Sequence, residues 1–157
     1  MRIRLSKDRR FMNVAMTMAI DFPTCLRRGY AAIVVNDCDK IISTGYCGAP
    51  SGMPHCDICY RLDNNIPQGR NYDMCRSIHA EENALVQAGK LPKGCKMYIA
   101  GYDYQLDSIT KSKPCYNCSK LLLNCGIETV ILQNENGLLE YTTPLKLVEE
   151  WEKEIFK

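Results

Sequence analysis

Two short stretches could do chemistry together. His79 and Glu81 lie two residues apart, and Cys115 and Cys118 lie three apart behind Pro114. One imidazole and two thiolates are good zinc ligands, and they are one short of the tetrahedron that zinc prefers. A three-ligand site leaves a position for water, which separates catalytic zinc from structural zinc. Cys115 and Cys118 at the start of a helix share one face. Pro114 suits that start, because its missing N–H would be unpaired there anyway. The positive end of the helix favours thiolate over thiol. Two thiolates offset the charge of the metal, so a carboxylate must help to take the water's proton. Glu81, in the first turn of a helix, can reach that water without ligating, which makes it the general acid–base candidate. Glu82 points about a third of a turn away and reads as a solvated helix residue.

The elements that position these residues follow the period of the apolar pattern. A first helix is expected over Lys7–Asp21, with Phe11, Val14, Ala15, Met18 and Phe22 as its stripe. Residues 30–35 read as a buried strand that pairs with Ile41 and Ile42 across the polar turn at 36–39. Thr44 to Gly52 reads as a glycine-rich loop in which the backbone could approach a ligand closely. Met53 to Arg76 is irregular, and so long a loop should be functional or stapled. A second helix runs from about His79 to Gly89, a third strand over 97–100, and a third helix over 115–124. A fourth strand covers 129–132. After Pro144 comes a helix with Leu145, Val148, Trp151 and Ile155 on one stripe. The order α-β-β-α-β-α-β plus a final helix argues for an α/β fold, a sheet with helices on both faces.

The chain has 157 residues, which fits one domain over 1–157 with a sizeable core. Twenty basic against eighteen acidic residues leave a charge of +2. That balance argues against a nucleic-acid surface. No apolar run is long enough to span a membrane. The basic start and apolar residues 11–20 resemble a signal peptide only superficially, because Asn13 and Thr17 interrupt the run. A cytoplasmic protein is expected.

Ten cysteines could build a disulfide scaffold, but the two C-x-x-C pairs and the absence of an export signal favour metal. Cys56 and Cys59 form the second pair, with Cys75 shortly before His79 and Cys25 on the first loop. Four sulfurs would make a closed structural zinc that staples residues 53–76. His55 could replace one cysteine, and the alternative is four unliganded thiols.

The chain resembles the deoxycytidylate (dCMP) deaminase family of the cytidine deaminase-like superfamily, from about residue 5 to residue 132. The resemblance is carried by Cys25 to Arg28, Thr44 to Gly52, Cys75 to Ala84, and Pro114 to Cys118. Zinc-dependent nucleobase deaminases carry H-x-E with P-C-x-x-C. The resemblance implies a three-layer α/β/α fold with a mixed central sheet. It also implies a catalytic zinc on His79, Cys115 and Cys118, Glu81 as proton shuttle, and hydrolysis of dCMP to dUMP and ammonia. Family members can carry a second zinc, form homo-oligomers (dimer or hexamer), and respond to dCTP and dTTP. Arg27, Arg28 and Arg76 are candidate phosphate contacts, since arginine suits bidentate phosphate recognition. Asn83 is a candidate substrate contact that could instead bond a loop backbone. There are two departures. Cys47 stands where the family usually has a sugar-binding Asn, and residues 133–137 offer no counterpart to the family's pocket aromatic. Another cytosine or purine nucleotide, nucleoside or base therefore remains an alternative substrate. A zinc-binding interaction module, with Cys56, Cys59, Cys75 and His79 cross-braced to Cys115 and Cys118, is the reading from a different class.

Overall fold

The structure is a computed structural model that describes residues 1–67 and 70–157. Residues 68 and 69, within the irregular stretch, lie outside the described residues. The chain runs α1 (Lys7–Asp21), β1 (Arg28–Val35), β2 (Ile41–Tyr46), α2 (Tyr60–Asp63), a 3₁₀ turn (Tyr72–Met74) and α3 (Ala80–Ala88). It continues with β3 (Lys96–Asp103), β4 (Ser108–Ile109), α4 (Tyr116–Asn124), β5 (Thr129–Gln133), β6 (Leu139–Thr142) and α5 (Pro144–Ile155). The sheet order is β2-β1-β3-β5-β6, with β4 on the end of β3. β3 and β5 are parallel and the other pairs antiparallel, so the sheet is mixed.

β1 shows why the fold has three layers. From Ala31 to Val35 its residues are apolar without a break, and successive side chains point to opposite faces. Ala31, Ile33 and Val35 pack with Met12, Ala15 and Ala19 of α1. Ala32 and Val34 pack on the other face with Ala80, Ala84 and Leu85 of α3, Leu122 of α4 and Leu147 of α5. Helices therefore cover both faces, the three-layer arrangement that the sequence resemblance implies. Among the described residues, no helix is long and apolar enough to cross a membrane.

Two helix stripes differ from expectation. α1 buries Met12, Ala15 and Ala19 and leaves Val14 and Phe22 exposed. The small side chains let the helix lie close to the sheet, where a Cβ on Gly29 would run into the carbonyl of Ala19. α5 turns Leu147 and Val148 inward and leaves Leu145 and Ile155 exposed.

Two corrections concern the loops. β2 extends through Tyr46, so the first part of the glycine-rich segment is strand. A Cβ on Gly45 would collide with the backbone of Ala80 and Ala84, so this glycine admits α3 rather than a ligand. β6 has no counterpart in the sequence reading.

Candidate active site

Both motifs sit at helix starts. His79 precedes the first residue of α3, and Cys115 precedes that of α4. The amide of Cys118 donates to Cys115 Sγ at 3.5 Å, so the first thiol caps the helix that carries the second. Glu82 is half-buried rather than solvated, and its carboxylate accepts the His79 N–H at 2.9 Å. The free N–H groups of a helix start attract such a carboxylate. This bond fixes the backbone of the residue that presents the imidazole.

The three candidate ligands meet. His79 Nδ1 lies 3.5 Å from Cys115 Sγ and 3.4 Å from Cys118 Sγ. A zinc with ordinary Zn–S and Zn–N bonds and tetrahedral angles would set sulfur and nitrogen about 3.6 Å apart. The donor set and its spacing fit a zinc ion. Their proton affinities show the same closeness. Cys115 is pulled down to about 4, first by the Cys118 thiol and against burial, with help from His79. Burial would lower His79, but Cys115 and Glu81 raise it to about 9. In that pair Cys115 is already a thiolate, and a divalent cation would displace the extra proton that the His79 imidazolium holds.

Glu81 is 6% exposed and lies outside that ligand group. Burial pushes its carboxyl up to about 7, against the opposing pull of His79. With His79 and Cys115 it borders a cavity of about 860 Å³. Arg27, Arg28, Cys47, His55 and Arg76 line the same cavity.

Several of these side chains are already engaged. Arg28 Nε donates to Asp103 Oδ2 at 2.7 Å. Arg76 Nη1 donates to the Pro54 carbonyl at 3.2 Å. The Cys47 sulfur accepts the Tyr30 N–H at 3.2 Å and donates to the Arg28 carbonyl at 3.6 Å. Asn83 does not line the cavity; its Nδ2 donates to the Tyr46 carbonyl at 2.8 Å, tying α3 to the end of β2.

The second cysteine group is looser. Cys25, Cys56, Cys59 and Cys75 border the cavity, and Cys25 Sγ is 3.1 Å from Ser77 Oγ. Among the described residues, His79, Cys115 and Cys118 are the one group of three or more such side chains gathered within 4.8 Å. All ten cysteines are free of disulfides. The cross-braced module is contradicted, because His79 sits with Cys115 and Cys118 rather than with Cys56, Cys59 and Cys75.

Tyr72 was not legible as a site residue. Its ring centroid lies 4.7 Å from that of His79, with the rings 83° apart. The Arg61 guanidinium covers the Tyr72 ring at 4.5 Å. Nothing periodic marks either residue within residues 53–76. A chance of finding Tyr72 lay only in its being an aromatic seven residues before His79. None of residues 133–137 lines the cavity.

Known proteins place this geometry. The family model described as the cytidine and deoxycytidylate deaminase zinc-binding region matches residues 5–134. A deoxycytidylate deaminase of Mycobacterium phage D29 is 33% identical over 135 residues, which cover 82% of this chain and 95% of that protein. The deoxycytidylate deaminase of Schizosaccharomyces pombe is 30% identical over 146 residues, 92% of this chain. The chain spans only 42% of the length of that yeast protein. The crystal structure of dCMP deaminase from cyanophage S-TIM5 in complex with dCMP and dUMP superposes with a TM-score of 0.61 at 22% identity. That match covers 95% of this chain and 94% of the phage chain, and it shows the shared fold. The chain belongs to the cytidine and deoxycytidylate deaminase family, whose zinc-binding region it carries.

Proposed function

We propose that this chain hydrolyses dCMP to dUMP and ammonia as a cytoplasmic, zinc-dependent nucleotide deaminase. The observation that carries the reading is the convergence of His79, Cys115 and Cys118 beside a buried, non-ligating Glu81 at the edge of one cavity. The similarity to deoxycytidylate deaminases of phage and yeast supports dCMP as the substrate.

His79, Cys115 and Cys118 would hold the zinc, which when bound acidifies water for attack on the amine-bearing carbon. Glu81 accepts one proton of the attacking water and hands it to the adjacent ring nitrogen. It then moves the second proton to the amine, which leaves as ammonia, and the water oxygen stays as the carbonyl of dUMP. Burial keeps bulk water from competing for these protons. Arg27, Arg28 and Arg76 supply positive charge along the cavity for the phosphate. Ammonia release from a panel of cytosine and purine bases, nucleosides and nucleotides tests the assignment. dCMP is expected to lead the panel, and release from none would end the enzyme reading.

A second, structural zinc on Cys25, Cys56, Cys59 and Cys75 belongs to the same proposal. All four border the cavity, and the Cys56 thiol, raised mainly by burial, is also influenced by Cys75, Cys25 and Cys59. Gathering them around one ion would staple residues 53–76. Protein purified without chelator should hold two zinc per chain, and a value of one removes this site. The resemblance also carries a homo-oligomer, dimer or hexamer, and control by dCTP and dTTP.

A further inference from the structure

A pyrimidine placed for attack must stand with its amine-bearing carbon towards the three ligands and Glu81, and its flat faces then need cover. Three tyrosine rings border the cavity among the described residues: Tyr30, Tyr60 and Tyr72. Tyr60 is 51% exposed, whereas Tyr30 and Tyr72 are half-buried. The Tyr72 ring meets His79, at 4.7 Å between centroids and nearly perpendicular.

Its placement is built rather than incidental. Asn71 takes the left-handed conformation at φ 51°, which asparagine tolerates better than most residues, and this starts the turn that carries Tyr72. Arg61 lies over the ring at 4.5 Å. That guanidinium is itself anchored, since its Nη2 donates to the carbonyls of Pro67 at 2.8 Å and Arg70 at 2.9 Å. A cation over one face of a tyrosine holds the ring in place. Tyr72 thus stands as a fixed aromatic surface next to the ligand that faces the reacting carbon.

We propose that Tyr72 is the wall against which the substrate's pyrimidine ring packs, with Arg61 as the positioning residue that holds it. The inference rests on the deaminase reading and adds the group that selects a flat base. A base packed on an aromatic ring loses about 1–3 kcal/mol when the ring is removed. Tyr72→Ala is therefore expected to raise KM for dCMP about 5- to 150-fold. Zinc content should match wild type, and Tyr72→Phe should restore most of the affinity. Competitive inhibition by 2-deoxyribose 5-phosphate, which lacks a base, should not change in Tyr72→Ala.

An unchanged KM in Tyr72→Ala, with wild type turning over dCMP, overturns the inference and leaves the deaminase reading standing. A higher KM accompanied by zinc loss, or by equally weakened inhibition by the base-free sugar phosphate, assigns Tyr72 a purely structural role and also overturns it. A wild-type protein that neither binds nor deaminates dCMP removes both.

Discussion

The indole N–H of Trp151 donates to the carbonyl of Pro114 at 2.9 Å, so the last helix holds the residue that immediately precedes Cys115. Lys113 adds to the clamp, with its ammonium 4.8 Å from the centroid of the Trp151 ring and 2.9 Å from Glu150. α5 lies beyond residues 5–134, the stretch matched by the family model. Part of what positions Cys115 is thus supplied from outside that region.

Trp151→Phe keeps most of the ring packing and leaves the Pro114 carbonyl without its donor. Loss of such a bond costs about 1–3 kcal/mol. The expected result is a lower melting temperature and faster zinc loss to a chelator. Trp151→Phe with wild-type zinc retention would mean that α5 packs on the site without positioning it.

Gly45 tests the contact between β2 and α3. Because a Cβ there would meet the backbone of Ala80 and Ala84, α3 must shift or the strand must bend. Gly45→Ala should cost about 1–3 kcal/mol, the usual penalty for overpacking. It should also reduce turnover, since α3 carries Glu81. Denaturant unfolding beside an activity assay checks both, and a neutral variant would show that α3 can move freely.

Much of this was legible beforehand, and the reason is local chemistry. The unbroken apolar run in β1 announces a strand covered on both faces, and two ligand motifs at helix starts announce a metal site. A helical wheel assigns Glu82 to solvent because it gives direction but not the attraction of an unpaired N–H at the helix start. Gly45 reads as a loop glycine until the helix crossing it is known. The pairs Arg61–Tyr72 and Trp151–Pro114 join residues 11 and 37 positions apart with no periodic pattern between them, so only the folded chain displays them. β6 is short and half-exposed, which leaves little apolar signal.

The Arg28–Asp103 pair sets part of the acid response. Burial would raise the Asp103 carboxyl, but the Arg28 guanidinium and the N–H groups of Leu106 and Gln105 hold it below its usual 3.8. A folded-state value below the unfolded one contributes stability above about pH 3.8, and that stability is lost as pH falls through the lower, folded value. Asp103→Asn should lower stability at pH 7 by about 1–3 kcal/mol. It should also flatten the dependence below about pH 4. Urea midpoints between pH 2 and pH 7 check this; parallel curves for the variant and wild type would contradict it.

The most direct measurement compares wild type with Glu81→Gln for zinc content and for ammonia release from dCMP. The amide keeps the shape and lies outside the ligand group, so both proteins should carry the same zinc. Release should fall by about 10²- to 10⁴-fold, the range for a general acid–base group. Equal zinc with undiminished release from Glu81→Gln would contradict the account.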